Sequence, residues 1–196
     1  LIRNEKDIRP ESFRPVEPYS FDPIDHVGTG RDWEERRKLV LGRAKVYHSL
    51  DEIIKKAKAD EISLAVFKPT EVTDFIKVKA EKEWDKKRLI EANRVIGQYD
   101  LFKDNSWREQ FKTVQKLPFD FSYRFKDIKG RISTLQLLDW EVGALYWNCL
   151  KSTDGNTDAA WDKVRQKYFI EFLKTDIHFF LGTTRRWHRV APNPWI

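Results

Sequence analysis

Seven consecutive residues carry the side chains best suited to an anionic ligand: Thr183-Thr184-Arg185-Arg186-Trp187-His188-Arg189. A guanidinium is a planar fork of N–H donors that matches phosphate. An indole ring stacks on a nucleobase or on another guanidinium. Three Arg, a Trp and a His in one run therefore point to a site that neutralises phosphates and stacks a base, with no base specificity implied. The competing reading is a solvated loop whose Trp plugs the edge of a sheet.

Three further basic runs add to this pattern: Arg36-Arg37-Lys38, Lys55-Lys56 with Lys58, and Lys86-Lys87-Arg88. Each lies in a stretch of helical character beside Glu or Asp, where such runs usually form solvated faces supported by (i, i+4) pairs. Convergence of these runs on the face that carries Arg185 would make one phosphate-binding surface. Lys86, Lys87 and Arg88 join Arg185, Arg186, Trp187, His188 and Arg189 as the expected nucleic-acid contacts.

The acidic and imidazole groups make a weaker case. Asp22, Asp25 and His26 gather oxygen and nitrogen ligands within five residues, a donor set for Mg²⁺, Mn²⁺ or Zn²⁺. Asp in Pro-rich turns also bonds its own backbone without metal, so no metal site is assigned. Gly28-Thr29-Gly30 reads as a turn. Asp139 and Glu141, with His178 and His188, are the groups that a metal nuclease would combine. Asp139 is fully explained as a helix cap, and His178, among Ile177, Phe179 and Phe180, reads more readily as a satisfied core histidine. No P-loop, no cysteine pair and no Ser-His-Asp arrangement is present, and no cofactor is called for.

These residues need elements to hold them. Phe119, Phe121, Tyr123 and Phe125 alternate with Asp120, Ser122, Arg124 and Lys126. Period-two alternation makes a strand with one aromatic face and one wet face. Asp127, Lys129 and Gly130 supply turn chemistry, and Arg131 to Leu138 returns as a second strand. The period then changes. Val142, Leu145, Tyr146, Cys149 and Leu150 recur every three or four residues on a helix that Asp139 caps. A second helix spans Thr157 to Lys174, with Trp161, Val164, Tyr168, Phe169, Phe172 and Leu173 inward. Ile177 to Leu181 reads as a buried strand, which delivers the basic loop. Trp195-Ile196 reads as the opening of another strand.

Upstream, residues 1–30 are rich in Pro and aromatics and predict an extended strapping arm. Asp32 with Glu35, and Ser49 with Glu52, are capping-box spacings. They predict one helix carrying Trp33, Val40, Ala44 and Tyr47, and another carrying Ile53, Ile54 and Ala57. Ile62 to Phe67 and Val72 to Lys79 are strand-like. Glu83 to Ile96 is helical and is closed by Gly97.

The expected fold is α+β: an antiparallel sheet with helices packed on one face, behind a helical N-terminal half and the Pro-rich arm. The expected organisation is 1–97 as arm plus mixed region, 98–117 as linker, and 118–196 as a hairpin-helix-helix-strand unit, unless all pack as one domain. The chain has 196 residues, net charge +6 and charged residues at 35%. That balance permits a polyanion partner and would suit a hot environment. No apolar run reaches membrane-spanning length, and the first residues show no signal-peptide pattern. The single cysteine, Cys149, sits on an apolar stripe as an inert buried thiol, consistent with a cytoplasmic, reducing setting. The leading expectation is a non-catalytic nucleic-acid-binding protein, or such a subunit of a nucleoprotein complex, acting on DNA or RNA. The alternatives are a protein–protein interaction subunit of a larger assembly and a metal-dependent nuclease.

Overall fold

The computed structural model describes residues 1–16, 18, 25–28, 33–81, 90, 116–190 and 195. The chain forms two compact units, Leu1–Ile76 with Ser122–Ile196, and Lys77–Phe121. The segment expected to link domains, 98–117, falls outside the described residues up to position 115, as does most of the helix expected from Glu83 to Ile96.

Strands β1 (Ile2–Arg3) and β2 (Phe13–Arg14) make a short antiparallel ladder, followed by helix α1 (Glu34–Leu41). Strand β3 (Val46–Tyr47), helix α2 (Leu50–Lys58), and strands β4 (Leu64–Phe67) and β5 (Glu71–Lys79) come next. Strands β6 (Phe119–Lys126) and β7 (Ile132–Gln136) form the hairpin, and helices α3 (Trp140–Ser152) and α4 (Thr157–Arg165) follow. The chain then passes through a π-helical turn, Gln166–Glu171, and a 3-10 turn, Phe172–Lys174, into strand β8 (Phe179–Gly182).

The larger unit is an α+β structure. One sheet has the order β5-β6-β7 and the other β3-β4-β8. In the second, β3 runs parallel to β4 and β8 antiparallel to it, so that sheet is mixed. The alternation in β6 determines its two faces. Phe121, Tyr123 and Phe125 are buried, whereas Asp120 and Arg124 are exposed. β7 pairs with β6 in the register Tyr123↔Leu135, which buries Leu135 on the same face.

That face meets α4. Phe75 stacks on Trp161 and Tyr168, both at 5.5 Å between ring centres, and meets Tyr123 at a tilt, 5.0 Å away. Phe179 lies 5.3 Å from both Tyr123 and Phe125 and 6.4 Å from Phe67, joining β8 to the aromatic core. Tilted and offset rings at such spacings suit the aromatic quadrupole. α3 packs beside α4 and buries Val142, Tyr146 and Cys149. Asp139 caps α3, its Oδ1 accepting from Glu141 N–H at 2.9 Å.

The helix expected to run to Lys174 instead widens at Gln166. Tyr123 Oη donates to the Tyr168 carbonyl at 2.7 Å inside the core. A side-chain donor at a helical carbonyl disturbs the ordinary ladder. Asn156 caps α4, accepting at 3.1 Å from the N–H groups of both Asp158 and Ala159. Asn156→Ala is expected to cost about 1 kcal/mol, read as a lowered urea midpoint with unchanged slope.

Two other expectations change. The helix from Trp33 to Tyr47 stops at Leu41 and buries no residue; Tyr47 is a buried strand residue instead. Gly42 follows Leu41, and the chain extends into β3 from there. The strand Ile177 to Leu181 was expected to be buried throughout, yet Phe180 is 68% exposed. Successive side chains of β8 point to opposite faces, so Phe179 and Leu181 face the core while Phe180 faces outward.

The N-terminal ladder is docked by charge. Arg9 bonds Asp7 and reaches the Thr183 carbonyl at 3.1 Å, and Glu11 Oε2 accepts from Ser63 N–H at 2.7 Å and from its hydroxyl. The Arg9 guanidinium holds the Asp7 carboxyl well below the usual carboxylate range.

Candidate nucleic-acid interface

The basic loop begins where β8 ends, and its first residue is heavily bonded. Thr183 N–H donates to Ser63 O at 3.0 Å, Thr183 makes an isolated antiparallel bridge with Trp195, and its hydroxyl meets His188 Nδ1 at 2.6 Å. The loop folds back on itself through Trp187 N–H to Thr184 O at 3.1 Å and Val190 N–H to Trp187 O at 3.3 Å.

This bonding divides the seven residues into two groups. His188 is fully buried, and its Nε2 lies 3.4 Å from Asp60 Oδ1. Arg189 Nε donates to Asp60 Oδ1 at 2.7 Å, and a second guanidinium nitrogen pairs with Oδ2. Asp60 sits just beyond α2 with φ of 56°, in the left-handed region that Asp tolerates better than most residues. Its carboxyl is held below the ordinary range by Arg189. Arg189 thus fastens the loop to the end of α2, while His188 is held inside the loop by Thr183.

Arg185, Arg186 and Trp187 form the other group and face solvent. Trp187 is 45% exposed, with the Arg186 guanidinium 4.7 Å above its ring. No carboxylate among the described residues pairs with Arg185 or Arg186. Arg9, Arg37, Arg131, Arg165 and Arg189, by contrast, each face an Asp. A second pair of the same type stands at α1, where the half-buried Arg36 lies 4.9 Å above the ring of Trp33, itself 56% exposed.

The other basic runs fare differently. Lys86, Lys87 and Arg88 lie outside the described residues. Lys38 pairs with Glu34 at 2.5 Å and Arg37 with Asp176 at 3.0 Å, while Lys56 pairs with Glu61. Lys55 and Lys58 are exposed on α2. Of the metal candidates, Asp22 lies outside the described residues. Asp25 and His26 are exposed, and Asp25 Oδ1 accepts from the His26 N–H at 2.7 Å, as in a local turn. Among the described residues no three His, Cys, Asp or Glu side chains are grouped to hold a metal ion. Asp139 is engaged as a cap, and Tyr168 Oη approaches its other oxygen at 3.4 Å.

The loop sequence contains no sign of this division. Asp60, which decides it, lies 129 positions away from Arg189.

The chain matches the model of a family described as Domain of unknown function (DUF8757) over residues 46–195. It belongs to that family. The matched span holds β3 to β8, helices α2 to α4 and the basic loop, and leaves out the N-terminal ladder and α1. No curated protein and no solved structure matches the chain. Among the described residues no helix is long and apolar enough to cross a membrane.

Burial sets the pH response of the loop anchor. Desolvation lowers the pKa of His188 from its ordinary 6.5, as do Arg189 and Arg9, against the opposing pull of Asp60 and Glu11. The folded chain keeps this imidazole neutral where the unfolded chain takes up a proton. Stability is therefore expected to fall as pH drops through 6.5, by at most about 1.4 kcal/mol per pH unit from this group. Urea midpoints at pH 7.5 and 5.5 check this: His188→Gln should show a shallower pH dependence than the unaltered chain.

Proposed function

We propose that this protein binds nucleic acid, DNA or RNA, through phosphate contacts and ring stacking, without catalysis. The observation that carries the reading is the outward set Arg185, Arg186 and Trp187. Two guanidiniums there have no carboxylate partner among the described residues, beside an exposed indole that already holds a cation on its face. Arg185 and Arg186 would neutralise phosphates, and Trp187 would stack on a base. Arg36 with Trp33 supplies a second group of the same chemistry. The net charge of +6 would draw the polyanion in. The unpaired buried Cys149 suits a reducing, cytoplasmic setting.

Fluorescence anisotropy with labelled single-stranded DNA, duplex DNA and RNA, across a salt series with and without Mg²⁺, tests this. The expected result is binding whose log affinity falls linearly with log salt, with the labelled strand left intact. Absence of binding to all three at low salt would overturn the reading.

A second reading, a protein–protein interaction subunit, has its own observation. Leu64 is 61% exposed on the same face of the β3-β4-β8 sheet as Phe180, since Leu64 pairs with Gly182 and Val66 with Phe180. Large apolar side chains open together on one sheet face mark interaction surfaces.

A further inference from the structure

A cleft of about 650 Å³ lies between α1 and the stretch that leads into β8. Its walls combine three aromatic rings, Trp33, Phe172 and Phe180, with Arg36, Arg37 and His178. That volume falls in the range of small-molecule sites, which run from about 300 to 1,000 Å³. Trp33 and Phe180 are both largely exposed, so two flat rings stand open to a third.

Among the described residues the charges around the cleft do not cancel. Asp176 is the one carboxylate among the described residues of its lining. Arg37 Nη2 meets Asp176 Oδ2 at 3.0 Å, and Lys68 Nζ meets Oδ1 at 2.7 Å. Arg36 has no carboxylate partner among the described residues: its Nε and Nη2 donate to the Val27 carbonyl at 3.1 and 2.9 Å, and its guanidinium lies over Trp33. Among the described residues, Arg36, Arg37 and the neighbouring Lys68 thus stand against the single anion Asp176. His178 Nδ1 lies 3.1 Å from the Asp176 carbonyl, which can only accept, so Nδ1 carries the proton and Nε2 is the free ring nitrogen.

We propose that this cleft binds a small molecule that joins a flat aromatic ring to an anionic group, a phosphate or a carboxylate. The ring would stack on Trp33 or Phe180, and the anion would take up the unbalanced charge of Arg36 and Arg37. The cleft shares Trp33 and Arg36 with the second group of the nucleic-acid reading but no residue with the loop from Thr183 to Val190 that carries that reading, so the two can fail separately.

Titration calorimetry of the full chain tests it with four probes: adenosine 5′-monophosphate, indole-3-acetate, adenosine and inorganic phosphate. At least one ring anion is expected to bind tenfold or more tighter than adenosine and inorganic phosphate, and the tighter of the two identifies the anion. Arg36→Gln/Arg37→Gln should weaken it at least tenfold. Trp33→Ala, which removes a stacking ring and the contact that steadies Arg36, should weaken it about fivefold. Asp176→Asn should tighten it several-fold, because the lining carboxylate that repels the ligand is gone; damage to the fold would not do that. Arg185→Gln/Arg186→Gln should leave it unchanged. The proposal fails if neither ring anion outbinds adenosine and inorganic phosphate, or if Asp176→Asn weakens binding while circular dichroism remains unaltered. Oligonucleotide binding measured alongside separates that failure from failure of the loop reading.

Discussion

Replacing Asp127 with Ala is expected to destabilise the fold by about 3–5 kcal/mol and to lower Tm by about 10 °C. Asp127 is buried at the turn between β6 and β7. Its Oδ1 accepts from the N–H groups of Lys129 at 2.8 Å and Arg131 at 3.0 Å, which closes the turn. Its Oδ2 accepts from Leu50 N–H at 3.0 Å, at the first residue of α2. A helix start leaves N–H groups without partners, and a carboxylate there also suits the helix dipole. Ser49 occupies the capping position but its hydroxyl makes no hydrogen bond to that helix; the cap comes from a residue 77 positions away. Alanine would leave three donors unsatisfied at once, uncoupling α2 from the hairpin. Asn keeps one acceptor oxygen and is expected to lose roughly half as much. Thermal and urea unfolding followed by circular dichroism measure both.

Reversing the two open arginines, Arg185→Glu/Arg186→Glu, is expected to weaken nucleic-acid binding by about 100-fold or more near 50 mM salt. The change removes two phosphate contacts and sets two anions against the polyanion. Neither side chain bonds the rest of the described fold through a carboxylate, while Arg189 keeps the loop fastened to Asp60 and His188 stays bonded to Thr183. Binding should therefore fall with the fold intact. Trp187→Ala should cost about 1–3 kcal/mol on a single strand, the value of one stacked base, and less on duplex DNA, whose bases are already stacked. Anisotropy on both strand types reads these differences.

What could be read from the residues depended on how local the cause was. The hairpin of β6 and β7 was legible because alternation of Phe121, Tyr123 and Phe125 with Ser122, Arg124 and Lys126 is a property of neighbouring residues. The cap of α3 at Asp139 and the buried stripe with Cys149 were legible for the same reason. The cap of α2 was not. The spacing of Ser49 and Glu52 announced a local capping box, and a buried carboxylate from the distant turn took its place. In β8, an unbroken apolar run could not disclose that one face would remain open, since that depends on what covers Phe180. The basic loop was legible as a concentration of charge, but its division into inward and outward residues depends on Asp60. The cleft beside α1 requires residues far apart in the chain, Trp33 and Arg36 with His178 and Phe180, and composition gave no sign of it.

The measurement that most directly tests the central claim is the salt dependence of oligonucleotide binding by the unaltered chain and by Arg185→Ala/Arg186→Ala. If these two guanidiniums contact phosphates, the slope of log affinity against log salt should flatten by about 1.4 on a single strand or 1.8 on duplex DNA. An affinity and a slope both unchanged in the variant would contradict the claim and place any binding elsewhere on the chain.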